Sequence, residues 1–307
     1  MSAQRILIYG AGGVGAFFGA LLVRAGADVH FVARGAQLEA MRRGGLTIRS
    51  SIVGDVHVPG VQAHERASDA PKADLVLVCV KTYQTAAILD DLAPSVMDST
   101  IIMTLQNGVE SDEVVAGRFG WERVVPAAVY VGATIDEPGV VVHEAPARIS
   151  FGGRPGFDPA RLHGVRDVLA TTGQRIQISE DIQLERWRKL MWNASFNTVS
   201  AMTLRSPSEL LALAETRALL RRLMQEVVDV ARALGIGLVD GDVDDHISWT
   251  ERAPGMRTST MVDRSRGRTM EADALIGVIV RKGRERGVPT PASETMYALM
   301  KASETSL

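Results

Sequence analysis

Two hydrophobic rhythms divide the 307-residue chain. In its first part, short strand-like segments rich in apolar residues recur at 5–9, 28–32, 74–80, 100–105 and 124–131. Each reads as a strand, and the continuous apolar character of 74–80 suits a central parallel strand covered on both faces. Helix-compatible segments stand at 16–25 and 37–43 between them and at 161–172 beyond the last, followed by Gly26, Gly44-Gly45 and Gly173 respectively. Glycine suits the left-handed position just beyond a helix. Residues 46–48 and 56–58 read as short strands. Residues 140–143 and 148–152 read as a hairpin-like extension, and 174–178 as a last strand. From Asp181 onward the pattern is helical only, with segments at 182–201, 215–234, 242–251, 271–283 and 292–301. The rhythm changes at Ser179-Glu180-Asp181. The expectation is therefore an α/β domain over 1–179 followed by an all-α domain over 180–307.

The first apolar run stops at Gly10-Ala11-Gly12-Gly13-Val14-Gly15, and a helical segment follows at once. Gly10, Gly12 and Gly15 have the G-x-G-x-x-G spacing in the strand–turn–helix context that a Rossmann-type domain requires. Gly10 permits the tight turn, Gly12 lets the backbone approach a pyrophosphate, and Gly15 lets the helix pack closely on the strand. The N–H groups that open the helix then face the phosphates. A plain glycine turn is the competing reading. At the end of the second strand, Ala33-Arg34-Gly35 offers a cation where NAD-selective domains place a carboxylate. Arg34 points to NADPH, against the alternative of an ordinary surface arginine. Lys81 and Asn107 follow two further strand runs, at the end of a parallel sheet where ligands bind. A solvated lysine and an Asn-Gly turn are the alternatives there.

The helical segment 182–201 carries Glu185, Lys189, Asn193 and Asn197 at intervals of four, among Trp187, Leu190, Met191, Trp192, Phe196 and Val199. Each step of four drifts by only ~40° in an α-helix, so the four share a stripe. Polar groups on an otherwise apolar helix must face a partner or a wet cleft, because burying them unpaired is costly. Lysine, unlike arginine, donates a proton readily. A Glu185–Lys189 ion pair on a solvated face accounts for the same spacing.

Composition narrows the classes. A formal net charge of -2 gives no footprint for nucleic acid. No apolar segment reaches the ~18 residues needed to span a bilayer, and no leader-like stretch opens the chain. A soluble, cytoplasmic protein is expected, with neither nucleic acid nor membrane as partner. The single cysteine, Cys79, lies in an apolar run and reads as a strand thiol. The six histidines lack metal-ligand spacing, so no metal site is predicted. There is no G-x-S-x-G elbow for a nucleophilic hydrolase.

Taken in order, the glycine loop with Arg34, Val80-Lys81, Leu105-Gln106-Asn107-Gly108, Lys189 with Asn193 and Asn197, and Ser259 followed by Glu271 make the chain resemble the ketopantoate reductases (2-dehydropantoate 2-reductases) over nearly its whole length. The Lys-x-x-x-Asn-x-x-x-Asn segment is the most specific part. The resemblance implies an N-terminal Rossmann-type NADP-binding domain and an all-helical catalytic domain, with the active site in the cleft between them. It implies NADPH-dependent reduction of a small 2-oxo acid to a 2-hydroxy acid, most directly ketopantoate to pantoate in pantothenate biosynthesis. By matching position, Lys189 is the general acid at the ketone oxygen, and Glu271 is counted with it as catalytic, positioning the cofactor and shaping the cleft together with Lys81 and Asn107. Asn107, Asn193, Asn197 and Ser259 hold substrate. Gly10, Ala11, Gly12, Gly13, Val14, Gly15, Arg34, Lys81, Asn107 and Glu271 hold cofactor. A homodimer is a candidate assembly that the sequence itself does not fix. Well-known members carry a further asparagine after the polar helix, where this chain has Thr203-Leu204-Arg205-Ser206-Pro207. A reductase for a different 2-oxo acid and a non-catalytic NADPH-binding sensor are the competing readings.

Overall fold

A computed structural model describes residues 4–253 and 255–304. The chain divides into two compact units. The first holds residues up to Gln106 together with Glu110–Ile182, and the second holds Asn107–Val109 together with the residues from Gln183 onward.

The first unit is built on β1 (Arg5–Tyr9), β2 (Asp28–Val32), β3 (Leu46–Ser50), β4 (Val56–Val58), β5 (Gln62–His64), β6 (Ala73–Val78), β7 (Val96–Thr104), β8 (Val124–Glu137), β9 (Val140–Phe151) and β10 (Arg175–Ile178). Among the described residues these form one sheet in the order β4-β3-β9-β8-β7-β6-β1-β2-β5, with β10 beside β9. β5, β2, β1, β6, β7 and β8 run parallel, while β8–β9 and β3–β4 are antiparallel. Successive residues of the central strands feed two different cores, as a sheet covered on both faces demands. Ile6, Ile8, Leu75 and Leu77 pack with Phe17, Phe18, Leu21 and Leu22 of α1 (Gly13–Arg24). Leu7, Val76 and Val78 pack on the opposite face with Ile88 and Leu92 of α3 (Thr85–Leu92) and Val115 of α4 (Ser111–Phe119). Between α1 and α3 lies α2 (Gly35–Gly44), and α5 (Pro159–Ala170) precedes β10.

Two strand expectations change. The run at 124–131 extends to Glu137, and the pieces at 140–143 and 148–152 are the two ends of the single strand β9. The exposed Glu144-Ala145-Pro146 reads as a turn, but the ladder passes through it with register shifts around Gly132. A proline has no N–H for the ladder and is accommodated at such irregularities. Cys79 sits one residue past β6 rather than inside it, its N–H bonded to the Tyr9 carbonyl at 2.8 Å.

The second unit is helical. It comprises α6 (Ile182–Trp192), which begins at the last residue of the first unit, then α7 (Thr198–Thr203), α8 (Pro207–Ala212), α9 (Ala214–Ala233), α10 (Gly241–Glu251), α11 (Ser259–Ser265), α12 (Val278–Arg286) and α13 (Pro291–Glu304). One core joins Trp187, Leu190 and Met191 of α6 to Leu220, Met224 and Val227 of α9 and Met296 and Met300 of α13. Among the described residues two segments are π-helical, Asn193–Asn197 between α6 and α7 and Asp273–Gly277 before α12, and they pack against each other.

Candidate active site

In the second unit, α6 offers Leu190 and Met191 to the core and leaves Lys189 half-buried beside them. The Lys189 ammonium donates to Asn107 Oδ1 at 3.0 Å. The amide nitrogen of Asn107 donates in turn to Glu271 Oε2 at 3.4 Å. The charges at its two ends fix which way this amide points. A flipped Asn107 would set its NH2 against an ammonium and its oxygen against a carboxylate. Burial pushes the Lys189 amine down to about 8; the Glu271 carboxylate opposes the fall and Arg186 adds to it. An amine in that range is protonated at neutral pH and still a competent acid, the condition under which proton transfer is most efficient. Glu271 is 6% exposed and lies just before the second π segment.

Asn193 and Asn197 are the first and last residues of the first π segment, and both are buried. An α-helical step of four residues advances the stripe by ~40°. A π turn, wider at about 4.4 residues, sets the same step back by about 30°. The step from Lys189 to Asn193 is essentially α-helical and that from Asn193 to Asn197 is π-helical, so the two drifts nearly cancel. The stripe is straighter than an uninterrupted α-helix over 182–201 would make it. Asn197 is 2% exposed and its Oδ1 has no hydrogen-bond partner. Native structures seldom leave a buried acceptor in that state, and a donor from a small ligand would satisfy it. Ser259 opens α11, which packs against α7 and against the π segment, and its side chain is exposed.

In the first unit the glycine loop has the form a pyrophosphate needs. Gly10 takes φ +103°, a left-handed conformation that favours glycine. A Cβ on Gly15 would stand 2.1 Å from the Gly10 carbonyl oxygen, and one on Gly13 would stand 2.1 Å from the Ala133 oxygen. Gly12 differs: a Cβ there would meet nothing within 4 Å, so the backbone is bare toward open space where α1 begins. Arg34 is the N-cap residue of α2, exposed at the end of β2. Lys81 follows β6 and is half-buried. Gln106 Nε2 donates to the Val80 carbonyl and to Thr85 Oγ1, which leaves its buried Oε1 unpartnered beside the ends of β6 and β7. These features fit a dinucleotide. The loop has N–H groups that could face phosphates, Arg34 is an exposed cation, and Gln106 Oε1 is a buried acceptor without a partner.

Gln37 is a functional candidate that sequence reading misses. Its amide donates to the Ala11 carbonyl at 3.0 Å and accepts from Gly139 N–H at 2.9 Å, tying the glycine loop to the β8–β9 turn. Those partners are 26 and 102 residues away, and no local pattern announces them.

A glycine-loop α/β unit and a desolvated lysine on a helical unit, in one chain, define the class of nicotinamide-dependent oxidoreductases. Residues 6–156 match the family model for ketopantoate reductase PanE/ApbA, and residues 181–304 match the model for its C-terminal part. The chain belongs to the ketopantoate reductase family, an NADP-dependent oxidoreductase family. The 2-dehydropantoate 2-reductase of Mesorhizobium japonicum is 31% identical over 97% of both chains. Among solved structures, the 2-dehydropantoate 2-reductase of Geobacter metallireducens is 33% identical, covers 97% of this chain and 99% of its own, and gives a TM-score of 0.93. A D-mandelate dehydrogenase solved with NADH and anilino(oxo)acetate gives a TM-score of 0.91 at 22% identity over 99% of both chains, a likeness of fold alone. No helix among the described residues is long and apolar enough to cross a membrane.

Proposed function

We propose that the protein reduces a 2-oxo acid to the 2-hydroxy acid, with ketopantoate the preferred substrate and pantoate, the pantothenate precursor, the product. The observation that carries this reading is the chain Lys189–Asn107–Glu271, an ammonium of lowered pKa steered by one amide and backed by one buried carboxylate. NADPH supplies the hydride that forms the new C–H bond. As the carbonyl π bond opens, negative charge gathers on its oxygen, and the Lys189 ammonium stabilises that charge and delivers the proton that makes the O–H bond. Asn107 aims the ammonium, and Glu271 keeps it protonated while the site is poor in water. Asn193 and Asn197 supply amide groups for the substrate's carboxylate and hydroxyl, with Ser259 as a third polar contact. Gly10 to Gly15, Arg34 and Lys81 would hold the cofactor, and Arg34 would supply the cation for a 2′-phosphate.

The test pairs Lys189→Ala with a panel of 2-oxo acids. NADPH binding stays near normal in the variant, while turnover falls by about two to four orders of magnitude. Full turnover in the variant removes Lys189 from the chemistry. In the wild type ketopantoate has the highest kcat/KM of the panel. A higher value for a different acid reassigns the substrate, and no NADPH oxidation with any acid favours a binding role.

A further inference from the structure

Three adjacent strands of the first unit end in register. Tyr9 at the end of β1 pairs with Val32 at the end of β2, and Val32 pairs with His64 at the end of β5. The ladder continues one step further, with Gly10 N–H on the Val32 carbonyl at 3.1 Å and Ala33 N–H on the His64 carbonyl at 3.0 Å. Arg34 and Arg66 therefore stand at equivalent places, each two residues beyond its strand, and both are exposed. Beneath them lies Asp91 of α3. Its Oδ1 accepts from Arg66 Nε at 3.2 Å, and its Oδ2 accepts from the Tyr9 hydroxyl at 2.7 Å and from Ala67 N–H at 3.0 Å. The Tyr9 proton is thus committed to Asp91, which leaves the phenol oxygen as an acceptor. Arg34 stands at the neighbouring strand end, two residues beyond Val32, the partner of Tyr9 in the ladder.

One carboxylate, itself bonded to the Tyr9 phenol, thereby holds the Arg66 guanidinium at the strand end next to that of Arg34. Arg66 binds Asp91 through Nε, so its terminal nitrogens remain available on a mostly exposed side chain. Guanidinium nitrogens presented in that way suit a phosphate. The three donors on Asp91 come from Tyr9, Ala67 and Arg66, so its charge is directed into the protein rather than at an incoming anion. We infer that Arg66 is a second arginine for the cofactor's 2′-phosphate, and that Tyr9 and Asp91 are positioning residues which set Arg66 beside Arg34. This rests on the reading of Arg34 given above and extends it. An isolated arginine at a loop must surrender side-chain freedom on binding, and one already held by a carboxylate surrenders less.

The test is direct titration of the purified full chain with NADPH and with NADH, following the fluorescence of the bound nicotinamide, for Arg34→Ala, Arg66→Ala and Tyr9→Phe. Arg66→Ala weakens NADPH about five- to tenfold and leaves NADH within twofold. Tyr9→Phe keeps the packed ring, removes the relay, and weakens NADPH about two- to fivefold with NADH again unmoved. Arg34→Ala shows the largest selective loss. If Arg34→Ala is selective and Arg66→Ala is flat, the second arginine is refuted while the Arg34 reading stands. If Arg34→Ala is itself unselective, both fall. Equal losses for the two cofactors in Arg66→Ala or Tyr9→Phe indicate a merely structural role and overturn the inference. Should Tyr9→Phe fold poorly, Asp91→Asn reports on the same relay.

Discussion

The bridge from Glu271 through Asn107 to Lys189 makes a quantitative demand on the pH profile. The amine is pushed down to about 8, chiefly by burial, with Glu271 as the carboxylate that limits the fall. Reduction consumes a proton, so the ammonium is the active form. In the reduction direction kcat/KM is level below pH 7 and falls toward tenfold per pH unit above about 8. In the oxidation direction the neutral amine is the base, so activity rises through the same range. Replacing Glu271 by Gln keeps the shape and removes the charge. Across an amide bridge of about 6 Å, at an effective dielectric constant near 20, a unit pair is worth about 3 kcal/mol. Lys189 is half-buried, and discounting by about half for solvent leaves about one pH unit. The alkaline limb of Glu271→Gln therefore starts about one pH unit lower than in wild type, and activity at pH 6 is the least affected. The assay is NADPH oxidation at low substrate concentration from pH 5.5 to 10, with both directions measured. An unshifted limb in Glu271→Gln, or limbs of the same sense in the two directions, refutes the proton assignment.

Two further expectations concern the framework. Glu226 is buried in α9, and its carboxylate accepts from Ala292 N–H at 2.8 Å and Ser293 N–H at 2.7 Å, closing the first turn of α13. Glu226→Ala leaves two donors unsatisfied and costs about 2–4 kcal/mol, read as a lower denaturant midpoint in urea unfolding. Gly15→Ala drives a Cβ to within 2.1 Å of the Gly10 carbonyl oxygen and 2.9 Å of Ile8, which moves α1 away from β1. NADPH binding by titration falls at least tenfold, and binding at the wild-type level shows that the helix has room the packing denies.

Legibility followed the range of the interactions. The parallel sheet was readable because central strands covered on both faces are apolar at every position, and Ile6-Leu7-Ile8 and Leu75-Val76-Leu77 display this in three letters each. The turn at Gly10 was readable because only a residue without Cβ takes φ +103° without strain. β9 was not, because Pro146 signals a break locally while the ladder to β8 absorbs it through register shifts. Gln37, Asp91 and Arg66 were equally hidden. Each matters through partners in other segments, and glutamine, aspartate and arginine are ordinary residues on a helix or after a strand.

The polar stripe shows the same limit in a subtler form. Spacing by four identified Lys189, Asn193 and Asn197 as one face, and the helix does begin at Ile182. The backbone that presents them changes winding at Asn193, and nothing in Asn193-Ala194-Ser195-Phe196-Asn197 forbids an α-helix there. A π turn forgoes good α-helical hydrogen bonds, so packing must select it. Here the neighbour is the other π segment, Asp273–Gly277, which starts two residues after Glu271. Two wide turns pressed together set the residues on either side of them at a rotation that uniform α-helices would not give. Lys189 precedes the first and Glu271 precedes the second, and the single side chain of Asn107 spans the distance between them. The paired π turns thus stand next to both residues that Asn107 joins, and a change of winding in either one alters the rotation at which its neighbour is presented.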